Sequence, residues 1–467
     1  MIKKLILRFY NRGIESACTR TLYFFNTVDT YFMIVGVLSF LMYGTKGCTP
    51  AFFLAMTLAV LAVFKMADFS LLFLILSPIF LFFLFKSSAF SVAEVVNILL
   101  INLGLFLLIQ FLFMSVPDSI VSRDPTIGIR KIWNSIFTIA QTTVSLPISV
   151  FFSTLYTLIL VVRPSPLNAA GVAFWLSILV VSFLAYLFRP RSFCSSDKRP
   201  EIAGKLFERV IVLNIDGCRL DRFYEAKLPF LTSLQKESTY FPEGIQTVYR
   251  ALTNPAFASI LTGATPEVHG ITSNNFGQVI KVEALPDVVK TKLYGSMHIE
   301  HFSKTTWDTR IVSLPTHGIY KSDDIMLEEM KEDLLKQDNT RLFIADISEV
   351  DFLGHAYGSE SGQYLEALKR ADSRLGNFFV WLKEKNLSEG SAVIVCSDHG
   401  IKRIDHSYLL FKAERYVPFI VNGKGIKRDN PLTFAASIMD IAPTVSYLLG
   451  VRYPSHCRGR VFVEALV

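Results

Sequence analysis

The sequence predicts two halves of different class. The N-terminal half reads as α-helical and membrane-spanning. The C-terminal half reads as an α/β domain with a mostly parallel sheet sandwiched by helices. Three observations carry this reading. Of the 467 residues, 51% are hydrophobic and only 19% charged, 40 are Phe, and the mean hydropathy is +0.40. Between Thr30 and Pro117 the charged residues are only Lys46, Lys65, Asp68, Lys86 and Glu94. From about Lys205 short β-branched runs alternate with helix-like stretches, the pattern of strands joined by crossover helices. This composition excludes a disordered chain, a collagen-like fibre and a nucleic-acid-binding tail. A net charge of +7 is too small and scattered to argue for a polyanionic partner, so no nucleic acid is expected. Cysteines at 18, 48, 194, 218, 396 and 457 lack paired spacing, which argues against a disulfide framework or a cysteine zinc site.

Residues 1–28 form a basic segment, with Lys3, Lys4, Arg8, Arg12 and Arg20 against Glu15 before Thr21. No short apolar stretch with a small-residue cleavage site follows, so the first span reads as an uncleaved anchor with its basic flank in the cytoplasm. Residues 29–188 form the transmembrane domain, with apolar runs near 29–44, 51–64, 69–85, 95–116, 135–162 and 168–188. A run of about 20 residues spans a bilayer as a helix, because hydrocarbon offers no partner for unpaired backbone groups. The run at 51–64 reaches only about 21 Å as a helix, against roughly 30 Å of hydrocarbon. The expectation is therefore five or six crossings. Residues 189–204, with RPRSFCSSDKRPE, form a basic linker marked by Pro and Ser.

The α/β domain occupies 205–467. Its first strand, within LFERVIVLNID, ends at Asp216-Gly217. Further strands are expected at Leu342–Asp346, Ala392–Ser397 and Val417–Val421. LPFLTSLQKES, YLEALKRADSRLGNFFVWLKEK and FAASIMDIAPTVSYLLG read as helices. All eight histidines lie from His269 onward. Asp216 stands at the mouth of the first strand, where ligands bind in open α/β sheets. Asp351 and His355 follow as DFLGH past the second run. Asp398 and His399 follow as SDHG at the end of the third, and His406 comes seven residues later. Carboxylate and imidazole ligands suit zinc, or manganese where oxygen predominates. A lone Asp at a strand end is usually a turn former. An adjacent Asp-His pair buried at a strand end is costly without a partner, and three such pieces at successive strand ends favour a metal site.

The ordered pieces VIVLNIDGCR, LPFLTSLQKEST, ALTNPAFASILTGATPEVHGI, DFLGHAYGSESGQYLEALKRAD, VIVCSDHG and IMDIAPTVSYLLGV resemble the alkaline phosphatase superfamily, in its type I phosphodiesterase and nucleotide pyrophosphatase branch. The match runs from about Phe207 to Phe462. The resemblance implies that Thr253 is a nucleophile. It implies one divalent metal ion at Asp216, Asp398, His399 and Thr253, and a second at Asp351, His355 and His406. A threonine hydroxyl attacks poorly at neutral pH unless a neighbouring cation draws off its proton, and paired divalent ions suit an in-line displacement. Thr253 also fits a helix cap before Asn-Pro, and both roles are compatible. Where the family is expected to carry a substrate-binding Asn, this chain has Ala256, with Asn254 as the substitute. His406 is preferred over His456 as the last ligand. His269 reads as structural, and the segment 276–335, with His298, His301 and His317, as a cap over the site.

Several membrane helices joined to such a domain resemble, in architecture, the bacterial lipoteichoic acid synthases and phosphoethanolamine transferases. The resemblance implies a membrane-bound, two-metal phosphodiesterase or phospho-headgroup transferase with a phospho-threonine intermediate. Its substrate would be a phospholipid or another lipid-linked or membrane-proximal phosphodiester. The alternative is a non-catalytic transport or scaffold protein with a degenerate binding domain. Basic flanks and an even number of crossings place the catalytic half in the cytoplasm. The resemblance places it outside the cell inner membrane, and the reading leans to that extracytoplasmic side.

Overall fold

The computed structural model describes residues 191–467 apart from 196–198, 273, 275–277, 337, 403–405 and 407–409. The predicted basic segment 1–28 and the spans of 29–188 lie outside the described residues. Among the described residues no helix is long and apolar enough to cross a membrane.

The strands are β1 (Arg209–Ile215), β2 (Thr239–Tyr240), β3 (Ile245–Gln246), β4 (Thr291–Gly295), β5 (Asp308–Ile311), β6 (Leu342–Ile347), β7 (Ser391–Cys396), β8 (Tyr416–Val417), β9 (Phe419–Gly423) and β10 (Asn430–Pro431). The helices that matter for the site are α1 (Pro229–Lys236), α2 (Thr253–Thr262), α3 (Met297–Phe302), α4 (Ile319–Leu334), α5 (Glu349–Tyr357), α6 (Gly362–Glu384) and α7 (Ile441–Leu449).

Among the described residues the main sheet has the order β10-β2-β9-β7-β1-β6-β4-β5. β1 pairs in parallel with β6 and β7, and β4 in parallel with β6 and β5. Parallel strands need crossovers, so helices cover both faces and the strands read as continuous apolar runs. In β1, Val210 and Val212 join one core with Phe257 of α2 and Val445 of α7. Ile211 and Leu213 join the opposite core with Leu231 of α1, Met330 of α4 and Leu375 of α6. The period of two thus serves two cores at once. Truncating Leu213 to Ala costs about 2–5 kcal/mol.

Helix α6 shows why its sequence is helical. Ser361 caps it by accepting from the Tyr364 N–H at 3.2 Å, and Tyr364, Ala367, Leu368, Ala371, Leu375, Phe378 and Leu382 form one buried stripe.

Two expectations change here. The run Val417–Val421 is divided between β8 and β9, and β9 lies antiparallel to β7. Pro418, which has no N–H, falls between them. The segment 276–335, read as a cap, supplies β4 and β5 to the sheet as well as α3 and α4. The described part of the linker is fastened to the domain. Tyr249 N–H donates to Ser192 Oγ at 2.9 Å, the Ser195 hydroxyl donates to Asp440, and the Tyr453 hydroxyl donates to Pro200 O at 2.7 Å.

Candidate active site

The C-terminal ends of β1, β6 and β7 meet on one side of the sheet, and each is followed by acidic residues. Asp216 follows β1 directly, Asp351 lies in α5 after β6, and Asp398 and His399 follow β7. At Gly217 the chain turns with φ +69°, and a Cβ there would lie 2.6 Å from Asp351 Oδ1 and 3.0 Å from its Cα. Glycine at this position lets the β1 turn and α5 approach closely enough to bring the two carboxylates together.

Asp351 and His355 share one face of α5 at i, i+4, with His355 Nε2 3.2 Å from Asp351 Oδ2. His406 Nε2 lies 3.2 Å from His355 Nε2 and 3.8 Å from Asp351 Oδ1. His406 Nδ1 donates to Ala251 O at 2.5 Å, which leaves Nε2 as a lone-pair donor facing His355. His399 Nε2 lies 3.3 Å from Asp216 Oδ1 and 3.4 Å from Asp398 Oδ2. The rings of His399 and His406 stack at 4.0 Å.

Two ligand groups result, each with one donor atom per residue within 4.8 Å of the others: Asp351, His355 and His406, and Asp216, Asp351 and His399. The first group coincides with one of the sets that the resemblance implies. In the second, Asp351 is shared where Asp398 was expected, and Asp398 stands beside His399.

Thr253 is the first residue of α2, with Leu252 in the cap position, so its side chain does not cap the helix. Its Oγ1 lies 3.1 Å from His399 Nε2. Pro255 falls where the first turn has no carbonyl to receive an N–H, so it does not disturb the helix. Asn254 is buried, and its Oδ1 has no hydrogen-bond partner. Its backbone N–H donates to Asn274 Oδ1 at 2.9 Å. Ala256 is buried in the apolar core. The sequence reading passed over Asn274, whose only signal is an Asn pair after the HG turn.

The donor set fits divalent cations. Asp216 Oδ1, Asp351 Oδ1 and Asp398 Oδ2 are buried without hydrogen-bond partners. Desolvated carboxylates left this way are expensive unless a cation joins them. Burial pushes the Asp216 carboxyl well above its ordinary range, and the charges of Asp398, Asp351 and Asp346 add to the shift. Burial also raises Asp398, to about 6, with His399 opposing. Burial pushes Asp351 upward too, but His355, His406 and His399 outweigh it and hold that carboxyl below its ordinary value. Burial, reinforced by His399, keeps His406 well below the usual imidazole value, hence neutral and able to ligate.

The other histidines divide cleanly. His269 accepts from Ile271 N–H at Nδ1 and lies 3.0 Å from Ser259 Oγ at Nε2, and burial lowers it to about 3. It is a structural residue of the HG turn. His456 is exposed.

The family model described as type I phosphodiesterase / nucleotide pyrophosphatase matches residues 210–311 and 289–444, together half of the chain. A Schizosaccharomyces pombe protein described as an uncharacterised pyrophosphatase/phosphodiesterase is 28% identical over 226 residues, 43% of this chain and 46% of that protein. Human ectonucleotide pyrophosphatase/phosphodiesterase family member 1 is 28% identical over 236 residues, 45% of this chain and 25% of that protein. The chain thus spans half or less of the length of these curated relatives. The solved structure of murine ectonucleotide pyrophosphatase/phosphodiesterase 5 covers 53% of this chain and 96% of its own, with 15% identity and a TM-score of 0.44. With its family model matched across the strands and helices that carry the site, the chain belongs to the type I phosphodiesterase / nucleotide pyrophosphatase family.

Proposed function

We propose that the chain is a metal-dependent enzyme that cleaves a phosphodiester through Thr253. The observation that carries this reading is Thr253 Oγ1 at 3.1 Å from His399 Nε2, on the rim of buried carboxylates and imidazoles. Asp351, His355 and His406 would hold one divalent cation, and Asp216, Asp398 and His399, with Thr253, the other. When bound, the cations supply Lewis-acid charge that activates a hydroxyl and neutralises oxygen in an in-line displacement.

The chain's own residues do the rest. The N-terminus of α2 turns its positive end toward an incoming phosphoryl group. Asn254 and Asn274 bring amide groups to the same helix end and would hold a phosphoryl oxygen there. Thr253 Oγ attacks phosphorus as its proton passes to water, the bond to the leaving oxygen breaks, and that oxygen takes a proton from water to leave as the alcohol. Water or an acceptor hydroxyl then breaks the Thr253–phosphate bond. Water makes the enzyme a hydrolase, and a lipid or sugar hydroxyl makes it a transferase.

We further propose a multi-pass membrane protein acting on a lipid-linked or membrane-proximal phosphodiester, with the catalytic domain outside the inner membrane. The support is the apolar composition of residues 29–188, far longer than tethering requires. Mass spectrometry after incubation with whole membrane lipids tests the chemistry. A phosphate or phospho-headgroup on Thr253 is expected, and an unmodified, turning-over enzyme would mean a different nucleophile. Phosphatase and fluorescent reporters fused after Val467 test the side. Fluorescence without phosphatase activity would place the site in the cytoplasm.

A further inference from the structure

We infer that Asp346 and Asn214, tied to the central segment 276–335 through His298, are positioning residues that orient Asp398 and set how tightly the neighbouring ion is held. This inference rests on the two-metal reading above. Asp346 closes β6 and is 1% exposed, yet it belongs to neither ligand group. A buried carboxylate with no ligand role is costly, so its surroundings are informative.

Its Oδ1 accepts from Asn214 Nδ2 at 2.6 Å. Asn214 is fully buried in β1, two residues before Asp216, and pairs in register with Cys396, two residues before Asp398. Its Oδ1 accepts from the Cys396 thiol at 3.8 Å, which ties the Asp346–Asn214 pair to the end of β7 that carries Asp398. The other oxygen of Asp346 faces the central segment. His298 Nε2, on α3, lies 2.9 Å from Asp346 Oδ2, and Ser348 Oγ donates to that oxygen at 3.3 Å. His298 Nε2 makes no aligned hydrogen bond, although it faces that oxygen at close range. His298 Nδ1 lies 2.6 Å from Ser296 Oγ, which fixes the ring.

Two further contacts hold the arrangement. A Cβ at Gly295 would stand 3.2 Å from the Asp346 Cβ, so β4 passes close to the carboxylate. Helix α3 packs on the nucleophile's helix α2 through Phe302 and Phe257, with ring centroids 6.0 Å apart. The central segment therefore reaches the site twice, once at the helix of Thr253 and once through Asp346. Groups that orient a metal's ligands from behind typically change metal affinity about 10–100-fold when altered. Asp346 also adds negative charge just outside the ligand set, which strengthens the hold on a cation.

The test uses the purified full chain loaded with cobalt(II), with affinity read by chelator competition and geometry by the visible absorption of the bound ion. Asp346→Asn keeps the shape and an acceptor for Asn214. It is expected to weaken one of two bound ions about 10–100-fold and to shift its spectrum. His298→Ala, on the more exposed helix, is expected to weaken the same ion less, with His298→Gln restoring part of the loss. If the parent binds two ions and both Asp346→Asn and His298→Ala match it in affinity and spectrum, the positioning role is wrong and the two-metal reading stands. A parent that binds no ion removes the two-metal reading and this role together. Should Asp346→Asn fail to fold, His298→Ala decides by the same criterion.

Discussion

Helix α5 has a buried acidic cluster on each side, and the two are built on opposite terms. Behind it, Glu349 accepts from Arg370 Nε at 2.5 Å and from Arg374 Nη1, and Asp323 accepts from the N–H groups of Ser348 and Glu349 at 3.0 and 3.2 Å. Arg374 Nη1 also stands 3.6 Å from Asp323. In front of the helix, two residues after Glu349, Asp351 meets Asp216 and Asp398. Among the described residues the recorded ion pairs of these three are all with histidines. Guanidinium groups balance the rear cluster from within the chain, whereas the front cluster leaves carboxylate oxygens without partners. Burial alone therefore does not mark a functional carboxylate. The absence of an internal cation beside it does.

The largest expected effect separates the two sides most sharply. Asp398→Asn or His399→Ala should abolish turnover of bis-p-nitrophenyl phosphate, and Asp351→Asn should cost a comparable amount. Thermal unfolding in chelator should not fall for Asp398→Asn, since that change removes an uncompensated charge. An active, metal-free Asp398→Asn protein would end the comparison.

Next comes the nucleophile. Thr253→Ala should eliminate catalysis with metal content retained, and Thr253→Ser should keep part of the rate. Diester hydrolysis by the alanine variant at the parental rate would assign the attack to water.

On the rear side the expected loss is in stability. Glu349→Ala removes the buried acceptor that Arg370 and Arg374 share, while Arg374 keeps Asp324 at 2.6 Å and Asp323 at 3.6 Å, and should cost about 1–3 kcal/mol in denaturant unfolding. A change below about 1 kcal/mol would show that the arginines find other partners.

The most gradual effect is a pH dependence. Burial raises the Asp323 carboxyl to about 7, with Arg374 opposing and Glu349 adding to the rise. Between the unfolded value near 4 and the folded value near 7, the native chain holds a proton that the unfolded chain has lost. Stability from this group is therefore greatest below pH 4 and falls as pH rises toward 7, by at most about 1.4 kcal/mol per pH unit. Asp323→Asn should flatten that slope, and an unchanged slope would assign it to another group.

The legible parts of the sequence were those whose physics is local. β1, β6 and β7 are buried on both faces, so they stand out as β-branched runs, and their acidic ends are adjacent in sequence. The direction of β9 was not legible, because hydrophobicity carries no strand polarity. β4 and β5, with TKLYG and DTRI, hide behind polar residues. Lys292 in β4 is buried yet paired with Asp333 at 3.1 Å and Asp338 at 2.8 Å, partners some 40 residues away in the chain. Asn214 left a trace as a polar residue inside an apolar strand. The importance of Asp346 lay in His298, whose approach depends on a strand that the sequence did not reveal. The membrane-spanning reading rests on residues outside those described.

The placement of the ligands has a consequence for how the protein is made. Asp351 and His355 are a turn apart and His399 and His406 share the stretch after β7, but Asp216 and these two pairs come from three distant parts of the chain. Neither ligand group is complete within any one of these parts. Asp351 is common to both groups, so one group needs α5 and the stretch after β7, and the other needs the end of β1 as well. Cations held by these groups would then load late in biogenesis, selecting finished domains rather than guiding unfinished ones.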